Sequence, residues 1–275
     1  MDLDSNTVLF AVLGDPVSHS LGPVMHNTAF VETGFNGAYL AFRVKNIGNA
    51  VAAIKALGIK GASITIPHKL SIMDFLDELD DTAHKIGAVN TLVNRDGVLT
   101  GYNSDGIGAV KALSEKTAIK DKNIVVIGAG GAAYAVAFSV LAEGGRVTII
   151  NRTAARGEKL AMALGADFQP MSELNKINCH ILINTTPVGM LPDVEAMPVR
   201  KQDLDQTMVI MDIVYNPLKT RLLRTAETIG CRIVDGVSMF VYQGAFQFEL
   251  WTGMKAPVEV MKRAVQNALG EGDGI

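Results

Sequence analysis

Hydrophobic positions in this chain follow two alternating rhythms. Short β-branched and aliphatic runs, the signature of strands buried on both faces, are separated by stretches whose apolar residues recur at helical spacing. In the first hundred residues the runs 8–13, 38–44 and 61–66 predict strands. Pro23–Thr33 and Ile47–Leu57 predict helices, closed by Gly34 and Gly58. Pro67 ends the third strand; a helix over 71–79 and a shorter one near 82–86 follow. The runs 88–93 and 98–101 flank Asn94-Arg95-Asp96-Gly97, where Asp-Gly marks a hairpin. The expected result is a mostly parallel sheet with an antiparallel end, covered by helices.

A helix from about Asp105 to Lys116 and a polar join at 117–121 lead into a second alternation. Strands are expected over 122–127, 146–150, 180–184, 208–214 and 232–235, with helices to Leu141 and over 218–229. Right-handed crossovers make that pattern a doubly wound sheet. After Gly236 the pattern is helical to Trp251 and again over 257–269, with no later strand, so these helices are expected to pack back across the boundary. The expected division is residues 1–105, 106–238 and 239–275, an α/β architecture ending in a frayed tail from Gly270.

Composition narrows the function classes. The chain has 275 residues, of which 48% are hydrophobic, enough for two modest cores. A formal net charge of −3 with no basic block argues against nucleic acid and against an anionic membrane surface. The start, Met-Asp-Leu-Asp-Ser, lacks the features of a signal peptide, and no apolar run approaches the ~18 residues of a membrane span. Cys179 and Cys231 fall in or beside buried strands and are expected to be reduced, as in a cytoplasmic protein. The five histidines have no metal spacing, so no metal is expected.

The strongest chemical signal is the turn after the 122–127 strand, Gly128-Ala129-Gly130-Gly131-Ala132-Ala133. Gly128 suits a tight turn, Gly130 lets a diphosphate approach the backbone, and Ala133 keeps the following helix close to its strand. The unpaired N–H groups at that helix start then face an anion. An NAD site usually carries an acid at the end of the next strand. Here Asn151-Arg152-Thr153 stand there, with Arg156 one turn on. Guanidinium groups bind a 2′-phosphate and are unfavourable at a helix start without an anion, so NADP(H) is the expected cofactor.

Four polar clusters lie at strand ends or turns. Ser18-His19-Ser20 precede Pro23 and His26-Asn27, offering hydroxyls to a carboxylate or simply capping the helix. Thr65 and Lys69 flank the break at Pro67-His68; a lone lysine there is more often a solvated charge. Asn90-Thr91 interrupt an apolar run, where a buried amide needs a ligand or a turn partner. Asn103-Ser104-Asp105 open a helix, where an acid is also a favourable cap.

Together these motifs resemble the shikimate dehydrogenase family from end to end. The likeness runs through Gly-Asp-Pro…His-Ser…Pro…His-Asn (14–27), Thr-Ile-Pro-His-Lys (65–69), Gly-Ala-Val-Asn-Thr (87–91) and Asn-Ser-Asp-Gly (103–106). It continues through Gly-Ala-Gly-Gly-Ala (128–132), Asn-Arg-Thr (151–153), Asn-Thr-Thr-Pro-Val-Gly-Met (184–190), Tyr-Asn-Pro (215–217), Met239 to Gln243, and Glu-Leu-Trp-Thr-Gly (249–253). The resemblance implies reversible NADPH-dependent reduction of 3-dehydroshikimate to shikimate, with quinate/shikimate dual use or a non-catalytic sensor as alternatives. It implies Lys69 and Asp105 as the catalytic pair, and Ser18, Ser20, Thr65, Asn90, Tyr215 and Gln243 as the substrate pocket. The cofactor would be held by Gly128, Ala129, Gly130, Gly131 and Ala132, and by Asn151, Arg152, Thr153 and Arg156. Thr186, Met190, Ile213 and Gly236 would border the nicotinamide. The site is expected in a cleft between domains, and the protein to act as a monomer or homodimer.

Hydride transfer to a ketone builds negative charge on oxygen. Lys69 would supply the proton or hold the alkoxide as an ammonium, with Asp105 orienting it and accepting from a substrate hydroxyl. Three positions depart from the family. Gly22 stands where a second serine is usual, Ser63 where asparagine is usual, and Tyr134 where arginine commonly follows the glycine loop. Gly22 is expected to leave more room and fewer carboxylate donors, which bears on quinate use.

Overall fold

The computed structural model describes residues 3–270, and the expected tail beyond Gly270 lies outside them. The described residues divide into two compact units, 3–104 with 243–270 and 105–242. Among the described residues no helix is long and apolar enough to cross a membrane.

The first unit is built from β1 (Val8–Gly14), α1 (Gly22–Thr33), β2 (Gly37–Arg43), α2 (Ile47–Leu57), β3 (Gly61–Ile64), β4 (Glu78–Leu79), α3 (Asp81–Ile86), β5 (Thr91–Arg95) and β6 (Val98–Tyr102). Its six-stranded sheet runs β2-β1-β3-β5-β6-β4. β1 pairs in parallel with β2 and β3, and β5 is antiparallel to both β3 and β6. Asp96 and Gly97, both at positive φ, make the two-residue hairpin turn. Ala11, Leu13, Ala62, Ile64 and Leu92 pack on Ile47, Val51 and Ile54 of α2.

Residues 71–79 differ from the single helix expected. A 3-10 turn covers Ser71–Phe75, and Glu78–Leu79 join the sheet edge. The cause is Asp77, whose carboxylate accepts from the Leu99 N–H at 2.8 Å and draws the segment onto β6. β5 also begins at Thr91 rather than Ala88, which leaves Asn90 at a strand entrance.

The second unit contains α4 (Asp105–Ser114), β7 (Asn123–Ile127), α5 (Gly131–Ala142), β8 (Arg146–Ile150), α6 (Ala154–Leu164), β9 (Asp167–Gln169), β10 (Ile181–Asn184), β11 (Val209–Asp212), α7 (Arg221–Ile229) and β12 (Arg232–Val234). Its six strands, in the order β12-β11-β10-β7-β8-β9, are all parallel. Alternate residues of β7 face opposite ways. Ile124 and Val126 meet Val136 and Val140 of α5, while Val125 and Ile127 share a core with Leu222 and Leu223 of α7. The order reverses beside β7, the switch point where such sheets take ligands.

Helix α8 (Gly236–Thr252) starts in the second unit, and its residues from Gln243 on belong to the first, as does α9 (Val258–Gly270), which packs on α1. Trp251 stacks on Phe10 with centroids 5.3 Å apart and donates through Nε1 to the Leu92 carbonyl at 2.9 Å. Gly61 lies directly beneath the indole, with no room for a Cβ.

Two buried titratable groups pull stability in opposite directions with pH. His26 is stacked on Tyr39 at 4.5 Å, and burial lowers its pKa from 6.5 to about 3. Asp212 is fully buried, and burial raises its pKa from 3.8 to about 6 although Thr220, Asn184 and the Val214 N–H all donate to it. The neutral His26 therefore stabilises the fold above pH 6.5, an advantage lost as pH falls toward 3. Native Asp212 holds its proton longer than the unfolded chain, so its contribution falls as pH rises from about 4 through 6. In urea unfolding at a series of pH values, Asp212→Asn is expected to abolish the second loss, of order 3 kcal/mol. His26→Phe is expected to flatten the first. An unchanged pH profile in either variant contradicts its assignment.

Candidate active site

In the first unit one edge of the sheet gathers the polar side chains. β1 and β3 both end there, and antiparallel β5 begins and β6 ends there, because Ser63 pairs with Thr91 and Thr91 with Tyr102. The segments leaving or entering that edge carry Ser20, Thr65, Lys69, Asn90 and Ser104. Thr65 N–H donates to the Leu13 carbonyl at 3.0 Å, and Gly14 provides the space its methyl group needs. The half-buried Lys69 is fixed through its backbone, whose carbonyl accepts from Val89 N–H at 2.8 Å. The adjoining His68 Nε2 lies 2.7 Å from the Val44 carbonyl.

Asn90 is 3% exposed. Its Oδ1 accepts from Ser104 N–H at 2.8 Å, from Thr91 Oγ1 at 2.7 Å and from Ser104 Oγ at 3.1 Å. Ser104 Oγ also lies 3.1 Å from Gln243 Oε1, which brings Gln243 of α8 to the same edge. Ser20 is half-buried, and its Oγ accepts from Gly22 N–H at 3.2 Å, whereas Ser18 is exposed and separate from this group. Asp105 follows Ser104 directly as the first residue of α4.

The space beside Gly22 is not open, contrary to expectation. A Cβ there would stand 3.0 Å from the Tyr39 ring and 3.2 Å from its hydroxyl. Tyr39 Oη instead donates to Ser63 Oγ at 2.6 Å, and Ser63 donates to Gln247 Oε1 at 2.8 Å.

In the second unit five parallel strands end at a common edge. Gly128–Ala132 follow β7, Asn151–Arg156 follow β8, Thr186–Met190 follow β10, Ile213 and Tyr215 follow β11, and Gly236 follows β12. Gly128 has φ +124°, and a Cβ added at Gly130 or Gly131 would meet nothing within 4 Å, leaving the backbone face open to a ligand. α5 starts at Gly131 with no side-chain cap, so its first N–H groups suit a diphosphate. Arg152 and Arg156 are exposed beside the start of α6, whose first turn holds no acid. A phosphate would balance those cations.

Asn184 and Asp212 organise the loops at this edge. Asn184 Nδ2 donates to Asp212 Oδ1 at 2.9 Å, and its Oδ1 accepts from Thr186 N–H and Oγ1 at 3.1 and 2.7 Å. Thr186 is half-buried and Met190 is 47% exposed. Gly236 sits against the Ile213 and Val214 carbonyls, where no side chain fits. Tyr215 stacks on Phe240 at 4.9 Å, and burial pushes its phenol pKa up.

Tyr39, Gln247, Asn184 and Asp212 escaped the sequence analysis as contributors to these edges. Gln247 had a signal, a second amide one helical turn after Gln243 and set between Phe246 and Phe248. Asp212 had one too, an acid ending an apolar strand.

Three family models match the chain: the shikimate dehydrogenase substrate binding domain over residues 12–92, shikimate/quinate 5-dehydrogenase over 110–217, and the shikimate 5′-dehydrogenase C-terminal domain over 236–266. Shikimate dehydrogenase (NADP(+)) of Methanocaldococcus jannaschii is 43% identical, covering 96% of this chain and 98% of that protein. A crystal structure of a shikimate dehydrogenase in complex with NADP+ superposes with a TM-score of 0.94 at 42% identity, covering 98% of each chain. The Thermus thermophilus enzyme in complex with NADP(H) and shikimate gives 0.91 at 35% identity, covering 96% of this chain and all of that one. Likeness of this degree, sustained over nearly the full length of each relative, makes the chain a member of the shikimate dehydrogenase family.

Proposed function

We propose that this protein is an NADP-dependent oxidoreductase that interconverts 3-dehydroshikimate and shikimate. The observation that carries the reading is the polar edge of the first sheet, where Thr65, Lys69, Asn90 and Gln243 converge on a segment continuous with Asp105. We assign the first unit to the acid substrate and the second to the cofactor. NADPH supplies the hydride when bound.

Lys69 meets the oxygen that gains charge, as a proton donor or as an ammonium holding the alkoxide. Asp105 favours the charged lysine, orients it and accepts from a substrate hydroxyl. Ser20 and Thr65 offer hydroxyls to the carboxylate, with Ser18 a more exposed candidate. Asn90, Gln243 and Tyr215 supply further polar groups suited to a polyhydroxylated acid. The glycine turn holds the diphosphate, and Asn151, Arg152, Thr153 and Arg156 hold the adenosine end with its 2′-phosphate. Thr186, Met190, Ile213 and Gly236 flank the nicotinamide.

Shikimate is the assigned substrate and quinate the alternative, and the crowding of Tyr39 against Gly22 leaves little extra room to favour quinate. A sensor would have no need of an ammonium and a carboxylate at a reacting carbonyl. We place the enzyme in the cytoplasm, as a monomer or homodimer.

Dehydroshikimate reduction followed by NADPH absorbance tests the reading directly; no turnover would overturn it. Lys69→Met is expected to lower kcat by about 100-fold or more while shikimate affinity changes little, as for a contact that strengthens in the transition state. Unchanged kcat would remove Lys69 from the mechanism. Replacing both Arg152 and Arg156 with Ala is expected to weaken NADP(H) roughly tenfold or more and leave NAD binding nearly alone. Equal weakening of both cofactors would make the arginines structural.

A further inference from the structure

We propose that Ser63 and Gln247 are positioning residues for substrate recognition, directing the Thr91 proton onto the Asn90 amide oxygen that Ser104 N–H also holds. The inference deepens the functional reading above and rests on it for the identity of the ligand.

Two backbone groups fix the orientations of the two amides in the chain of contacts. Ser104 N–H can only donate, so the Asn90 side-chain atom 2.8 Å away is the oxygen. The Asn90 backbone carbonyl can only accept, so the Gln247 atom 3.4 Å from it, and 2.8 Å from Thr91 Oγ1, is the nitrogen. Gln247 therefore turns its oxygen to Ser63, which must donate at 2.8 Å. With its proton committed, Ser63 accepts from Tyr39 Oη at 2.6 Å. Burial pushes the Tyr39 pKa upward, which keeps that phenol a donor. Thr91 accepts from Gln247 and sends its own proton 2.7 Å to Asn90 Oδ1. The relay runs one way, from Tyr39 through Ser63, Gln247 and Thr91 to Asn90.

Gln247 is 1% exposed and Thr91 is fully buried, so both act through Asn90 rather than on a ligand. The Asn90 oxygen is held by Thr91 and Ser104, and whatever its other edge meets, it meets through Nδ2. A hydroxyl or carboxylate oxygen is the kind of group to which Nδ2 can donate. Breaking the relay frees the Thr91 proton to turn away from Oδ1, so the amide keeps the orientation set by Ser104 N–H but is held less firmly. Ser63, which departs from the asparagine usual in the family, thus has its hydroxyl directed inward.

The test compares Ser63→Ala, Gln247→Leu and the double variant in the full-length protein. Each single change is expected to raise the shikimate KM several-fold, up to roughly tenfold, the cost of one weakened hydrogen bond. The expected kcat and NADP(H) affinity stay within about twofold of the parent, as for an effect confined to substrate binding. The double variant should be no worse than the worse single one, since both break the same relay. An unchanged shikimate KM in a variant with a cooperative melting transition overturns the proposal, as do fully additive effects or an equal loss of cofactor affinity. If Gln247→Leu fails to fold, the smaller Ser63→Ala change carries the test. A second readout stands apart from activity: the side-chain amide resonances of Asn90 in 15N-correlated NMR spectra. They should shift in Ser63→Ala; unmoved resonances would sink the relay even if the parent enzyme acts on another substrate, whereas a shift without shikimate turnover would sink only the functional reading.

Discussion

A strand buried on both faces spends its N–H and C=O groups on its neighbours and its side chains on apolar packing, so polar chemistry is driven to its ends. In the second sheet all strands run the same way, and the glycine turn, the two arginines and Thr186 consequently share an edge. In the first sheet the antiparallel turn of β5 and β6 brings Asn90 and Ser104 to the edge where β1 and β3 end. Polar groups that do enter the interior must find partners there. Asp212 does so with a hydroxyl, an amide and a backbone N–H, and Asn90 with two hydroxyls and a backbone N–H.

Two of the three positions that depart from the family, Gly22 and Ser63, meet at Tyr39. A side chain on Gly22 would crowd its ring, and Ser63 accepts its proton. A missing serine therefore opens little space, since even a Cβ there would press on Tyr39 of β2. The identity of one residue tells what is absent, but only packing tells what has taken its place.

Most elements of the fold were legible in the chain, because buried strands and glycine-capped helices leave strong local marks. Ile47–Leu57 and Arg146–Ile150 have the bounds their patterns predict. The segment after Ser71 was misread because its conformation depends on a remote partner, the Leu99 N–H that takes the Asp77 carboxylate. Of the candidate site, the motif residues were legible and their supports were not. Gln247 and Tyr39 act through contacts with strands distant in sequence, and Asp212 looks like any polar residue at a strand end.

The first unit is discontinuous in the chain, whereas residues 105–242 form an unbroken stretch. Phe248, Trp251, Met261 and Val265 reach its core or its α1 face only after the whole second unit has been synthesised. During translation the unbroken unit, residues 105–242, is thus free to close first. The amino-terminal sheet keeps the Phe10–Phe30–Phe35 cluster from early synthesis but gains the Trp251 and Phe248 contacts only when the last helices are made, so its core is completed last.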